Sequence, residues 1–204
     1  MQKSFTTQPK LFVSASDLNH PILRSLDSAP IEAARSGSGH DKSGKLTKGP
    51  EAGWHVKNDS RGNKKSTYGF SVHTCVDEDG FIHRQSVTLD NVHDFQERDT
   101  LLLGNEAALY ADSAYSSEQT REKLAQLGIK DQVQRKCYRE KTLSKEDRTC
   151  NKEIAVTRAG GERPFATYKR HYGLARARFM GLAKMRQFMG WPLLLRTFVK
   201  VLSF

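Results

Sequence analysis

Large apolar and polar residues alternate from Tyr68 to Val76, with Tyr68, Phe70, Val72 and Val76 on one register. A period of two is the mark of a half-buried strand. Asp77-Glu78-Asp79-Gly80 is a turn closed by glycine, and Phe81 to Leu89 returns as a second strand, which makes an antiparallel hairpin. Asp94 to Leu103 reads as a helix with Asp94 as its N-cap. A short buried strand over 108–112 ends on Asp112. Ser117 caps a helix that runs to about Leu127, where Gly128 stops it, and Ile129 to Gln134 is a last short strand. Ser144 caps a helix through Lys145-Glu146-Asp147-Arg148. A final helix starts near Glu162 with Pro164 in its first turn, and Phe165, Tyr168 and Tyr172 fall on one face of it.

The chain before residue 68 is harder to pattern. Phe12 and Val13 fit a short strand, and Ile22 to Asp27 alternates weakly between Pro21 and Pro30, which suggests a strand of edge quality. Glu32 to Arg35 fits a helical turn. Residues 36–65 are rich in Gly, Ser, Lys and Asp and read as a long, partly mobile loop. Trp54 and His55 interrupt it, with Trp54 either a core anchor or part of a binding surface.

Composition adds a partner class. Lys plus Arg outnumber Asp plus Glu by 33 to 23 over 204 residues, a net charge of +10. Such a balance suits a polyanion, nucleic acid first. Cys75, Cys137 and Cys150 have no C-x-x-C spacing and read as reduced thiols of a cytosolic protein. The apolar run near the C-terminus is broken by charges and by Pro192, so no membrane partner is expected.

Two acids stand out. Asp112 closes a buried strand, where open α/β sheets place their chemistry, or else caps the turn that follows. Glu162 lies in Arg158-Ala159-Gly160-Gly161-Glu162-Arg163-Pro164, with Lys169 two helical turns beyond and projecting from the same face. The other carboxylates in reach, Asp90 and Asp94, sit in Thr88-Leu89-Asp90-Asn91-Val92-His93-Asp94, and His93-Asp94 reads as a helix entry rather than a ligand pair.

Arg158, Glu162 and Lys169 occupy three of the four positions of a signature that runs Tyr, two residues, Arg, three residues, Glu, six residues, Lys; the Tyr position is Ala155. Together with the Tyr110-Ala111-Asp112-Ser113-Ala114-Tyr115 and Thr88–Asp94 blocks, the chain resembles bacterial insertion-sequence transposases of the DDE type, insertion sequence 5 family, over roughly residues 27–184. The resemblance implies an α/β fold: an RNase H-like mixed sheet with helices on its faces, here incomplete. It implies DNA strand cleavage and transfer with two divalent metal ions, Mg²⁺ or Mn²⁺, held by Asp27, Asp112 and Glu162. It makes Lys169 and Arg158 phosphate contacts, with Arg158 alternatively orienting Glu162 or pairing with Glu153. Arg163, Arg170, Arg176 and Arg178 extend that basic surface, and Lys57, Arg61, Lys64 and Lys65 around Trp54 form a second candidate DNA contact. The expected partners are DNA ends and target and a second copy or an intact transposase subunit, on the nucleoid of a bacterial cytoplasm.

The match departs from the family twice. Residues 4–26 resemble the very start of such proteins, while Asp27 onward resembles a point far inside them, as though a helical domain between the two had been deleted. From Met185 to Phe204 the chain ceases to resemble the family, yet codons can be chosen for this tail so that one inserted base restores an Ala-rich string like the family's C-terminus. The expected organisation is a residual segment 1–26, a catalytic domain 27–184 and an aberrant apolar tail 185–204 carrying Phe198, Val199, Val201, Leu202 and Phe204. Such a copy is expected to be inactive alone, or to persist as a non-catalytic DNA-binding remnant that interferes with an intact transposase.

Overall fold

The computed structural model describes residues 22–34, 42–43, 52–58, 62–137 and 142–190. Six strands form one sheet: β1 Leu23–Glu32, β2 Gly53–Asn58, β3 Lys64–Val76, β4 Ile82–Leu89, β5 Ala108–Ala111 and β6 Lys130–Val133. Their order is β2-β3-β1-β5-β6, with β4 also on β3. The pairs β1/β3, β2/β3 and β3/β4 are antiparallel, and β1/β5 and β5/β6 are parallel. This is the mixed sheet of an RNase H-like domain. The helices are α1 Arg98–Leu101, α2 Glu118–Gln126 and α3 Lys145–His171, followed by a helical stretch over 182–190.

Strand parity divides the core in two. Ala29, Ile31, Phe70, Val72 and Val76 pack with Phe165 and Tyr168 of α3 and with Met185 and Met189. On the opposite face, Leu26 and Cys75 pack with Leu101, Leu109, Tyr115, Leu124 and Val133. β5 reads Ala-Leu-Tyr-Ala because a parallel strand in mid-sheet is covered on both faces. Met185 and Met189 are fully buried, and Gln85 and Arg186 add side-chain hydrogen bonds between this stretch and β4. The chain therefore stays packed on the sheet at least to residue 190, while the rest of the apolar tail, Phe12, Val13 and Arg61 lie outside the described residues.

Several expectations are corrected. The stretch Ile22 to Asp27 belongs to a central strand, not an edge one, and Glu32 ends that strand instead of starting a helical turn. Pro30 is tolerated for a reason specific to its side. Ala33 N donates to Tyr68 O on β3, whereas Glu32 N donates to Ala175 O on the other side. By alternation, position 30 turns its nitrogen away from β3, towards β5, and β5 pairs with β1 only from Leu23 to Ser25. The missing N–H therefore costs no ladder bond.

The loop expected over 36–65 contains β2. Trp54 stands on β2 about half exposed (49%) and packs on Tyr68 with ring centroids 4.9 Å apart. Gly69 sits where β1, β2 and β3 meet, and a Cβ there would collide with the Ile31 carbonyl. Asp94 does not cap a helix: His93 occupies the N-cap of a 3-10 turn, Asp94–Glu97, without a side-chain bond. Finally, the two helices expected over 144–148 and from Glu162 are one helix, α3. Ser144 opens it with a reciprocal capping box to Asp147. Pro164 lies inside it, where a proline forfeits one backbone bond and crowds the carbonyl four residues back. That residue is Gly160, so the crowding falls on the least demanding residue type.

Candidate active site

Asp27 and Asp112 are brought together by register. β1 and β5 pair as Leu23↔Ala108, Arg24↔Leu109 and Ser25↔Tyr110. Carried two residues further, the same register sets Asp27 beside Asp112, on the face shared with Ser25 and Tyr110. Neighbouring strands are about 4.8 Å apart. Asp112 has already left the strand: its Oδ1 accepts the Ala114 N–H at 2.8 Å and caps the turn Ser113–Tyr115. It is thus both the strand-end acid and a turn cap.

α3 supplies the third acid. A Cβ on Gly161 would stand 3.0 Å from Ser25 Oγ and 3.3 Å from Val76 Cγ2, so the missing side chain lets the helix lie directly on β1 and β3. Glu162 follows at once and is exposed to solvent. One turn earlier, Arg158 reaches the sheet. Its Nη2 lies 3.5 Å from Asp27 Oδ1 and its Nη1 donates to Gln134 Oε1 at 3.3 Å. The Arg158 side chain is 13% exposed and that of Asp27 16%. Arg158 thus serves the first acid, correcting the expected pairing with Glu153 or Glu162.

The electrostatics of Asp27 show what surrounds it. Burial pushes its carboxyl up to about 6; Arg158 and the Ser28 N–H oppose this, and the negative charges of Asp112 and Glu162 add to it. Both other acids therefore act on Asp27. Thr74 faces Asp27 across the β1/β3 ladder. Thr74 Oγ1, Ser25 Oγ and Arg158 Nε are buried with no hydrogen-bond partner. Buried polar atoms are normally satisfied, so orphans gathered round one carboxylate mark a place built to receive polar ligands. Tyr115, three residues after Asp112, is buried with an unpaired hydroxyl, and its pKa is raised by burial first, then by Asp94, Asp27 and Asp112.

The rival acids serve elsewhere. Asp90 is 1% exposed and accepts Ser71 Oγ at 2.6 Å and Thr67 Oγ1 at 2.8 Å. Asp94 Oδ1 lies 3.5 Å from Nδ1 of His73, whose pKa burial lowers. These groups tie β2, β3 and β4 together on the face away from α3. Among the basic candidates, Arg163, Lys169, Arg170, Arg176 and Arg178 are all exposed, as are Lys64 and Lys65 on β3. Lys169 borders a small cleft with Pro30 and Phe165, and Arg176 Nε donates to Ala33 O at 3.3 Å. Lys57 lies opposite Lys65 in the β2/β3 ladder. Sequence reasoning missed Ser25, Thr74 and Gly161, because their importance lies in cross-strand and helix-on-sheet proximity that no local pattern encodes.

Two comparisons bear on this arrangement. The sequence matches the family model described as "Transposase DDE domain" over residues 19–198. It is also 30% identical over 119 residues to the transposase for insertion sequence element IS1106 of Neisseria meningitidis serogroup B. That stretch is 57% of this chain and 41% of the relative, so the match spans about two fifths of the relative's length.

Proposed function

Because the chain belongs to the DDE transposase domain family, we propose that Asp27, Asp112 and Glu162 are the acids of a DNA strand-transfer site of the insertion sequence 5 type. The observation that carries this is the β1/β5 register, which sets Asp27 beside Asp112 under a helix whose Glu162 adjoins the contact at Gly161.

The residues fit divalent ions in kind. Three carboxylates are hard oxygen donors suited to Mg²⁺ or Mn²⁺, and the orphan hydroxyls of Ser25 and Thr74 suit the polar surroundings of such ions. Among the described residues, no three acid, His or Cys side chains close into one ligand cluster, and Arg158 holds an oxygen of Asp27. Asp27, Asp112 and Glu162 would hold the ions, which when bound stabilise the attacking and leaving oxygens of phosphoryl transfer. The chain's own cations do the rest. Lys169 and Arg170 hold the DNA backbone, and Arg158 compensates Asp27 until DNA and ions are in place.

This copy is proposed not to transpose alone. The likeness of residues 4–26 to one part of the family and of residues 27 onward to another supports an internal deletion. Its partners would be DNA and either a second copy or an intact transposase subunit, on the bacterial nucleoid. No helix among the described residues is long and apolar enough to cross a membrane.

The test is nicking of DNA carrying the element's own ends, with Mg²⁺ or Mn²⁺, by this chain and by one restored in its middle and tail. The restored chain should nick and lose at least about a hundredfold in rate as Asp112→Ala, the scale on which catalysis depends on a group acting in the transition state. The unrestored chain should show no specific nicking. Activity in Asp112→Ala would remove the acid assignment, and specific nicking by the unrestored chain would remove the claim of defect.

A further inference from the structure

β3 is longer than the sheet around it. β1 pairs with it only from Gly69 to Val76, and β4 only from Phe70 to Val76. Among the described residues, its only neighbouring strand from Lys64 to Tyr68 is β2. The two strands therefore leave the body of the sheet as a ribbon.

The root of that ribbon is fixed. Gly53 and Gly69 meet there, Trp54 packs on Tyr68, His55 Nδ1 donates to the Asp90 carbonyl at 2.9 Å and Thr67 donates to the Asp90 carboxylate. Its outer part is different. Lys64 and Lys65 are exposed, and Lys57 pairs in register with Lys65. No ion pair among the described residues involves Lys64 or Lys65.

Parity places Trp54, Val56 and Lys64 on the face of the sheet that carries α3. Along the strand direction the cations fall in order, with Lys64 on that face and Lys65, opposite Lys57, on the other. Asp27 lies opposite Thr74 of β3. Lys169 lies at Pro30, which pairs with Ser71. Arg176 bridges Glu32, which pairs with Gly69. Lys65 and Lys64 come last. Nine residues separate Thr74 from Lys65, or about 30 Å of strand. That length matches about nine base pairs of B-form duplex at 3.4 Å each.

We infer that the β2/β3 ribbon is the far end of a duplex track that begins at the acids, and that one DNA duplex engages Lys169, Arg176 and the ribbon lysines together. This deepens the proposed function by saying how the duplex lies, and it rests on that reading for the near end of the track. Duplex DNA is the occupant that fits, because the cations are spaced along a line and are not gathered round a pocket. The half-exposed Trp54 and Val56 give the ribbon an apolar flank for the sugar edge of the groove.

The experiment is direct binding, without divalent ions, of sequence-neutral duplexes of about 8 and about 24 base pairs. It compares the parent chain with Lys64→Gln/Lys65→Gln and with Lys169→Gln/Arg176→Gln. Lys169 lies at the level of Ser71, six strand positions or about 20 Å from Lys65, so a duplex of about 8 base pairs already reaches both patches and each double variant should lose about tenfold on it. A long duplex bridges both patches as well, so each should again lose about tenfold, as linked contacts require. On the long duplex, the ribbon variant's salt slope should fall by about 1.8 for two phosphates. Lys64→Arg/Lys65→Arg should restore binding, which separates lost charge from misfolding. Loss confined to one of the two double variants, no loss on the long duplex, or the same pattern with single-stranded 24-mers would overturn the track. Because no metal is present, failure here leaves the acid assignment to be judged by nicking alone.

Discussion

Asp27 holds its proton to about pH 6, well above the ordinary aspartate range, first because it is buried and then because Asp112 and Glu162 face it. The folded state therefore binds this proton more tightly than the unfolded chain does. The stability it contributes is complete below about pH 4 and is lost as pH rises through about 6. Asp27→Asn should thus gain on the order of 2–3 kcal/mol relative to the parent between pH 4 and pH 8. Urea unfolding of both proteins at the two pH values measures this, and an unchanged difference would show that Asp27 is not held as described. The proposed acids Asp112 and Glu162 were open to sequence reasoning because each sits in a contiguous block. The partner of Arg158 was not, because Asp27 lies 131 positions away along the chain.

At the scale of elements, the caps were the most legible features. Ser117, Gly128 and Ser144 act on backbone within three residues of themselves, so their neighbours in sequence are their neighbours in space. The prolines were misread because their effect depends on what lies beside them: an unpaired side of β1 for Pro30, and Gly160 for Pro164. Gly161 shows the same dependence. An alanine in its place gains helix propensity of about 1 kcal/mol and presses chiefly on the rotatable Ser25 hydroxyl. Gly161→Ala should therefore change stability by less than about 1 kcal/mol. Gly161→Leu cannot be absorbed and should cost about 1–3 kcal/mol, the usual range for overpacking. Urea unfolding of the two variants beside the parent measures both. A Leu variant as stable as the parent would mean that α3 does not rest on β1 at this point.

For the molecule as a whole, the pairing of β1 with both β3 and β5 is what local pattern could not supply, since both partners lie outside any window in which periodicity is read. That pairing bears on how copies of this gene can change in length. The number of residues between Asp27 and Asp112, 84 here, is immaterial to their meeting; only the parity of β1 and β5 matters. A residue added at the exposed hairpin turn, between Glu78 and Asp79, leaves both strands in phase. The same residue added between Leu109 and Tyr110 turns Asp112 to the opposite face of the sheet. In a restored, nicking-competent chain the first insertion should keep at least about half the activity, whereas the second should abolish it, losing more than about a hundredfold. Length drift among diverging copies should accordingly collect at hairpin tips and spare the four residues of β5, which makes one of the two shortest strands of the sheet the least editable part of the gene.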